Sequence, residues 1–163
     1  MSVSKIGDKL APYNPTNIEA VHVVIKMLNI KESDVVFDLG CGDGRFLIEV
    51  CKTFPNIHIQ CFGVEYDSEL CSRANDLILQ QSDMVDRIQI IHDNVVNVNF
   101  AATATVLFIY LVPEGILRLK ENIIAALNNG ARVVTYVFSI PGLAPKEVAV
   151  YKQSTKIYLY SMS

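Results

Sequence analysis

Short apolar runs alternate along this chain with segments whose apolar residues recur at helical spacing. The runs carry Val, Ile and Phe without polar alternation, which is typical of strands buried on both faces of a parallel sheet. The segments between them have the apolar spacing of amphipathic helices. Strands that alternate with helices predict an α/β protein in which helices cover both faces of a mostly parallel sheet.

The boundaries of these elements follow from capping and turn residues. Five strands are predicted to begin near Val35, Ile59, Ile88, Thr105 and Ala131, and the last two extend to Tyr110 and Phe138. The predicted helices are 18–28, 46–53, one capped by Asp67 or Ser68, and one from Pro113 to Gly130. Residues 95–104 are rich in Asn and Thr and predict no firm helix. An alternating pattern over 148–151 and 157–160 predicts a C-terminal antiparallel hairpin, giving seven strands.

The first strand ends at an acid and a glycine-rich turn. Asp38 is followed by glycines at 40, 42 and 44, and a helical pattern begins directly afterwards. The spacing departs from the dinucleotide fingerprint G-x-G-x-x-G, because the third glycine comes one residue early and Arg45 takes its place. A carboxylate at Asp38 would repel a pyrophosphate but would suit a ligand that carries an ammonium and a sulfonium.

Two further acids follow the next two strands. Glu65 ends the second strand, where a carboxylate accepts both hydroxyls of a ribose. Asp93 follows the third strand, where the amino group of an adenine would lie, although a loop aspartate is an equally ordinary interpretation. Tyr110 ends the fourth strand. Because ligands bind beyond the carboxyl ends of parallel strands, all these side chains are expected at one edge of the sheet.

Composition narrows the functional classes. The 163 residues are 51% apolar and 19% charged, with a net charge of −3, so no basic surface indicates a nucleic-acid partner. The longest apolar run, 106–112, is too short for a membrane span, and no signal peptide is predicted. The four cysteines form no C-x-x-C pair. We therefore expect reduced thiols in a cytoplasmic protein, and no metal site.

Several motifs together resemble a known family. Asp38 and its glycines resemble motif I of class I S-adenosylmethionine (SAM) methyltransferases. The wider set resembles the lysine methyltransferases that modify the ATP synthase c-subunit and the adenine nucleotide translocase, with their small prokaryotic relatives. The motifs that carry this resemblance are Pro12-Tyr13-x-Pro15-Thr16, Asp38-Leu39-Gly40-x-Gly42-Asp43-Gly44-Arg45, Gly63-Val64-Glu65, Tyr110-Leu111-x-Pro113-Glu114 and Gly130-Ala131-Arg132-Val133-Val134.

The resemblance implies a Rossmann-like class I methyltransferase fold, the cofactor SAM and methylation of a protein lysine. It implies one methyltransferase domain over residues 12–163, preceded by a mobile arm over 1–11. Tyr110 is expected to line the channel of the methyl acceptor and is the candidate catalytic residue; no residue stands out as a general base. The expected cofactor-binding residues are Tyr13, Thr16, Asp38, Gly40, Cys41, Gly42, Glu65, Tyr66, Asp93 and Asn94.

Other functions stay open at this point. The chain has no Asn/Asp-Pro-Pro-Tyr motif, as found in other amine methyltransferases, so a SAM-binding partner subunit without activity is one alternative. A methyltransferase of a small molecule is another, although few insertions are present to enclose such a substrate. An NAD-dependent oxidoreductase is disfavoured by Asp38. The sequence leaves the oligomeric state undetermined.

Overall fold

A single seven-stranded sheet forms the centre of the protein, with helices on both faces. The computed structural model describes residues 15–162. The predicted arm over 1–11 and Tyr13 lie outside the described residues. Numbered in chain order, the strands lie in the order 3-2-1-4-5-7-6 across the sheet, and the seventh runs opposite to all the others. The predicted fold class, with its mostly parallel sheet and C-terminal hairpin, is confirmed.

The element bounds agree closely with the pattern of the sequence. The helices are α1 Ile18–Leu28, α2 Arg45–Thr53, α3 Ser68–Leu79 and α4 Pro113–Asn128. The strands are β1 Val35–Leu39, β2 Gln60–Glu65, β3 Ile88–His92, β4 Val106–Ile109, β5 Arg132–Tyr136, β6 Glu147–Tyr151 and β7 Thr155–Tyr160. Two short 3₁₀ turns, Val95–Asn97 and Phe100–Ala102, replace a helix between β3 and β4. None of the helices within residues 15–162 is long and apolar enough to cross a membrane.

Several strand boundaries differ from the prediction by one or two residues; β4, for example, ends at Ile109 and not at Tyr110. β5 ends at Tyr136 and not at Phe138, because Val137 has a φ of +74° and turns the chain away from the sheet. The N–H of Val137 donates to the carbonyl of Lys156 at 2.9 Å, which fixes this turn against β7. β4 begins one residue later than expected, at Val106.

Two apolar layers hold the helices on the sheet. One face of the sheet packs against α1 and α2, with Phe46 of α2 and Phe108 of β4 in ring contact at 4.4 Å between centroids. The other face packs against α4 and the 3₁₀ turns, where Phe100 and Ile116 are fully buried. Strands covered on both faces account for the apolar runs without alternation.

A buried ion pair joins the strands at the edge opposite the glycine turn. Asp34 is 3% exposed. It accepts a hydrogen bond from the hydroxyl of Thr105 at 2.8 Å and forms an ion pair with Arg132. Nε of Arg132 also donates to the carbonyl of Leu28, the last residue of α1, at 2.8 Å. Arg132 therefore connects α1, β1 and β5. A structural role, and not a role in catalysis, explains its presence in the sequence motif.

We predict that Arg132→Met destabilises the protein by about 3 kcal/mol, because it leaves Asp34 charged and buried without its cation. Urea unfolding measures the change. The double variant Asp34→Asn/Arg132→Met removes both charges and should recover part of the loss. Equal destabilisation by the single and double variants would contradict a role for the buried charge.

Candidate active site

The glycine turn is held against the end of β2 by main-chain hydrogen bonds. The N–H groups of Gly40 and Cys41 both donate to the carbonyl of Val64, at 2.8 and 3.0 Å. Gly40, Gly42 and Gly44 have φ values of +83°, +58° and +82°, a region that glycine enters without a steric penalty. The turn ends at Gly44, the N-cap of α2. Within the turn, Gly40 is exposed and residues 41–44 are buried, so a ligand can approach the backbone at Gly40.

Close packing between the turn and β2 requires a further glycine. A Cβ added at Gly63 would lie 2.6 Å from Sγ and 2.9 Å from Cβ of Cys41. Cys41 is buried, and burial, followed by the charges of Asp38 and Glu65, raises the pKa of its thiol. The thiol therefore stays neutral and acts as a small apolar group. The side chain of Cys41 packs on β2, and its backbone forms part of the glycine turn.

Asp38 is a buried carboxylate without a hydrogen-bond partner in residues 15–162. It is 4% exposed and lies in register between Gly63 of β2 and Phe108 of β4. Burial raises its pKa well above the ordinary value, and the carboxylates of Glu65 and Asp43 raise it further. An ionised Asp38 is therefore unfavourable in the ligand-free protein and would be stabilised by a cationic ligand.

Glu65 is a fixed carboxylate with capacity left for a ligand. Its Oε1 accepts from the N–H of Gly42 at 2.9 Å, and its Oε2 accepts from the N–H of Asp67 at 2.8 Å. A carboxylate has about four acceptor positions, so both oxygens can accept one more hydrogen bond. Glu65 thus fixes the glycine turn and also presents acceptors where the sequence predicts the ribose.

The structure adds a third carboxylate, which the sequence reasoning missed as a site residue. Asp43 is 7% exposed, and its two oxygens accept from Nε and Nη2 of Arg45 at 3.1 and 2.9 Å. This forked pair directs the charge of Arg45 to Asp43. The sequence feature that could have indicated Asp43 is Arg45, which occupies the position where a dinucleotide fingerprint has glycine.

The loop after β3 holds two other predicted residues. Oδ1 of Asp93 accepts from the N–H of Asn94 at 2.7 Å and from Nδ2 of Asn97 at 3.1 Å. The side chain of Asn94 caps the first 3₁₀ turn by accepting from Val96 N–H at 3.2 Å. Tyr66 follows β2 and is 39% exposed, and its carbonyl lies 3.0 Å from Nε2 of His92. The cofactor roles of Tyr66, Asp93 and Asn94 stay predictions.

Tyrosines line the opposite side of the turn, beyond β4. The ring of Tyr110, directly after β4, meets that of Tyr136 edge to face, with centroids 4.8 Å apart. Thr16 is buried directly before the N-cap of α1, Asn17. The catalytic role of Tyr110 and the cofactor role of Thr16 stay predictions. The sequence did not indicate Tyr136 as a site residue, although it ends β5 much as Tyr110 follows β4.

The site fits a nucleoside that carries positive charge near the first strand. Asp38 provides an unpartnered buried acid, Glu65 offers free acceptor positions, and the glycine turn places Gly40 at the surface beside them. A pyrophosphate would face these carboxylates at close range. The geometry therefore disfavours a dinucleotide and favours the sulfonium and ammonium of SAM.

Comparison with known proteins decides the family. The family model of the ANTKMT methyltransferase domain matches residues 38–147. The chain belongs to this family. A protein-lysine N-methyltransferase from Saccharolobus islandicus (strain REY15A) is 33% identical over 152 residues, covering 91% of this chain and 92% of the relative. The expected resemblance is confirmed, and the protein is a SAM-dependent methyltransferase.

Other relatives share part of the chain or the fold alone. An rRNA adenine N-6-methyltransferase from Streptococcus sanguinis is 28% identical over 85 residues, which cover 52% of this chain and 31% of that protein. A crystal structure of an RNA methyltransferase from Salinibacter ruber, in complex with S-adenosyl-L-homocysteine, superposes with a TM-score of 0.82. It is 23% identical and covers 91% of this chain and 94% of its own. That likeness establishes the fold of the ANTKMT-family chain.

We predict that Gly63→Ala destabilises the protein by about 1–3 kcal/mol, because the added methyl group collides with Cys41. It should also weaken SAM binding, since the glycine turn must move away from β2. Thermal unfolding and calorimetric titration measure the two effects. The variant Gly63→Ala/Cys41→Gly removes the collision and should recover stability relative to the sum of the two single changes. Strict additivity would contradict the packing argument.

We predict that Asp38→Asn stabilises the ligand-free protein while weakening SAM binding. The raised pKa means that folded Asp38 keeps its proton where unfolded Asp38 has lost it. Wild-type stability therefore falls as the pH rises between these two pKa values, and the Asn variant lacks this fall. At a pH above both values we expect Tm to rise by about 2–4 °C, which corresponds to ~1 kcal/mol.

The affinity for SAM should change in the opposite direction. Because the cation favours ionised Asp38, wild-type affinity should increase with pH through the folded-state pKa of Asp38. Asp38→Asn should remove this pH dependence and lower affinity about tenfold, or ~1.4 kcal/mol. Calorimetric titration at several pH values tests this, and tight, unchanged binding by the variant would exclude contact between Asp38 and the cofactor.

Proposed function

We propose that this methyltransferase transfers methyl groups from SAM to the ε-amino group of lysine side chains in proteins. The observation that carries this proposal is the 33% identity to a protein-lysine N-methyltransferase across nearly the whole of both chains. The relatives named for rRNA match over about half of the chain. The net charge of −3 also gives less support to a nucleic-acid substrate than to a protein.

The geometry supports a division of the site into cofactor and acceptor sides. We infer that Glu65 receives the ribose and that Asp93, with Tyr66 and Asn94, faces the adenine at the ends of β2 and β3. The methionine end would then lie at Asp38 and the glycine turn, between β1 and β4. Thr16 and Tyr13 are proposed to close over that end.

Methyl transfer needs a neutral amine placed in line with the methyl group that SAM supplies. The amine nitrogen forms the new N–C bond as the C–S bond breaks, and the electron pair of that bond stays on sulfur. Lysine has an ordinary pKa of about 10.4, so one proton must leave before attack, and a desolvated channel favours the neutral form. Tyr110 is proposed to line this channel, and positioning is the main contribution of the protein.

Two further expectations are proposals of the same kind. We propose that residues 12–163 act as one methyltransferase domain, which is supported by the continuous sheet over 15–162. We also propose a cytoplasmic location, because all four cysteines are free and buried, as in a reducing compartment.

The test is a methylation assay with methyl-labelled SAM on the separated protein and RNA fractions of a cell extract. We expect label in the protein fraction, recovered as Nε-methyl-lysine after acid hydrolysis. Asp38→Ala and Glu65→Ala should abolish both this label and saturable SAM binding in calorimetry. A folded surface variant such as Lys156→Ala is the matched control and should retain both.

Each other outcome identifies a different function. Label in RNA bases or in small molecules would overturn the lysine proposal in favour of that substrate class. Saturable SAM binding with no transfer to any fraction would favour a non-catalytic partner subunit.

A further inference from the structure

Three tyrosines lie on one face of the sheet where β4, β5 and β6 end, beside the cofactor site. They are Tyr110, Tyr136 and Tyr151, here called the aromatic row, and all three pack on the face that carries α1 and α2. The rings of Tyr110 and Tyr136 meet edge to face, with centroids 4.8 Å apart. Tyr151 lies beyond Tyr136, with β7 between their strands. Tyr136 is therefore the middle member of the row.

The row begins where the cofactor site ends. β1 and β4 pair with Leu39 opposite Ile109, so Gly40 and Tyr110 follow them at the same level of the sheet. β4 and β5 pair with Ile109 opposite Thr135, which places Tyr136 at the level of Tyr110. The acids assigned to the nucleoside lie on the other side, at β1 and β2. The row therefore extends away from the methyl group in the direction left for the acceptor.

The chain turns directly after two members of the row. Five non-glycine residues within 15–162 have positive φ, and three of them lie one or two positions after Tyr136 or Tyr151. These are Val137 at +74°, Lys152 at +46° and Gln153 at +69°. A β-branched residue such as Val137 rarely adopts this conformation, whereas positive φ is ordinary in the hairpin turn that holds Lys152 and Gln153. Both β5 and β6 therefore end at their tyrosines.

The outer end of the row already holds an ammonium group. Nζ of Lys152 lies 5.4 Å from the ring centroid of Tyr151 and 3.9 Å from Oε2 of Glu19. The hydroxyl of Tyr151 donates to the same Oε2 at 2.9 Å and lies 3.2 Å from Oδ1 of Asn17, the N-cap of α1. An aromatic face beside a carboxylate is a favourable place for a lysine head group.

We propose that the aromatic row receives the side chain of the acceptor lysine, which enters past Glu19 with its methylene chain against the rings of Tyr136 and Tyr110. This inference deepens the proposed function and rests on it. Glu19 attracts the incoming ammonium, and removal from water deeper in the row, where Tyr136 is buried, disfavours its charge. The proton leaves to solvent at the mouth, and the neutral nitrogen reaches the end of the row at Tyr110 beside the glycine turn.

The test compares Tyr136→Leu with Tyr136→Phe and Tyr158→Leu in the protein-methylation assay. Tyr158 is also on the hairpin, but it packs on the opposite face of the sheet, so it is the matched control. Tyr136→Leu should lower kcat/KM for the protein acceptor about tenfold to a hundredfold while the Kd for SAM stays unchanged, because only the acceptor is misplaced. Tyr136→Phe keeps the ring and should retain activity.

Glu19→Gln tests the entrance separately. Loss of its charge should lower kcat/KM at low salt and reduce the decline of kcat/KM as salt increases, because attraction between exposed charges is screened. An unchanged salt dependence would overturn the role of Glu19.

The outcomes distinguish this inference from the function on which it rests. If wild-type protein methylates lysine and Tyr136→Leu does so equally well, the aromatic row is not the acceptor site. Equal losses in Tyr136→Leu and Tyr158→Leu, or a parallel loss of SAM affinity in Tyr136→Leu, would also overturn it in favour of a structural role. If the wild type binds SAM but labels no lysine, the proposed function fails first.

Discussion

The docking of the glycine turn on the end of β2 is the contact on which the rest of the site depends. Two N–H groups of the turn share the carbonyl of Val64, the carboxylate of Glu65 receives a third from Gly42, and the side chain of Cys41 fills the space above Gly63. These contacts fix the start of α2 relative to β2. They also bring the carboxylate of Glu65 near Asp38, whose pKa is raised first by burial and then by this like charge.

That arrangement is unfavourable for the protein alone and favourable for its function. A buried acid beside two other carboxylates reduces stability when it is ionised, since like charges repel in a medium of low dielectric constant. We propose that the sulfonium and ammonium of SAM supply the missing positive charge. At the opposite end of the sheet, Asp34 and Arg132 form a network in which each buried charge has its partner. The stability of that network offsets the cost of burying Asp38.

The proposed acceptor half of the site is built mainly by β5 and the C-terminal hairpin, which carry none of the proposed cofactor-binding residues. β5 stops early at the strained Val137, and the hairpin of β6 and β7 brings Tyr151 to the N-terminus of α1. Variation in this hairpin can therefore change the acceptor without disturbing the glycine turn.

The sequence by itself determined the fold class, the strand-turn-helix unit and the acids at the ends of β1, β2 and β3. Their signals are local: apolar runs mark buried strands, Asp67 caps α3 as predicted, and glycines at alternate positions mark the turn after Asp38.

Only the tertiary structure decided which residues meet across the sheet. Gly63 is needed because Cys41 lies above it, Asp43 joins the acidic group through the fold of the turn, and Tyr136 meets Tyr110 from a separate strand. The order of the strands sets these contacts, and no spacing along the chain encodes that order. A local pattern predicts an element, whereas packing between distant elements determines which side chains share a site.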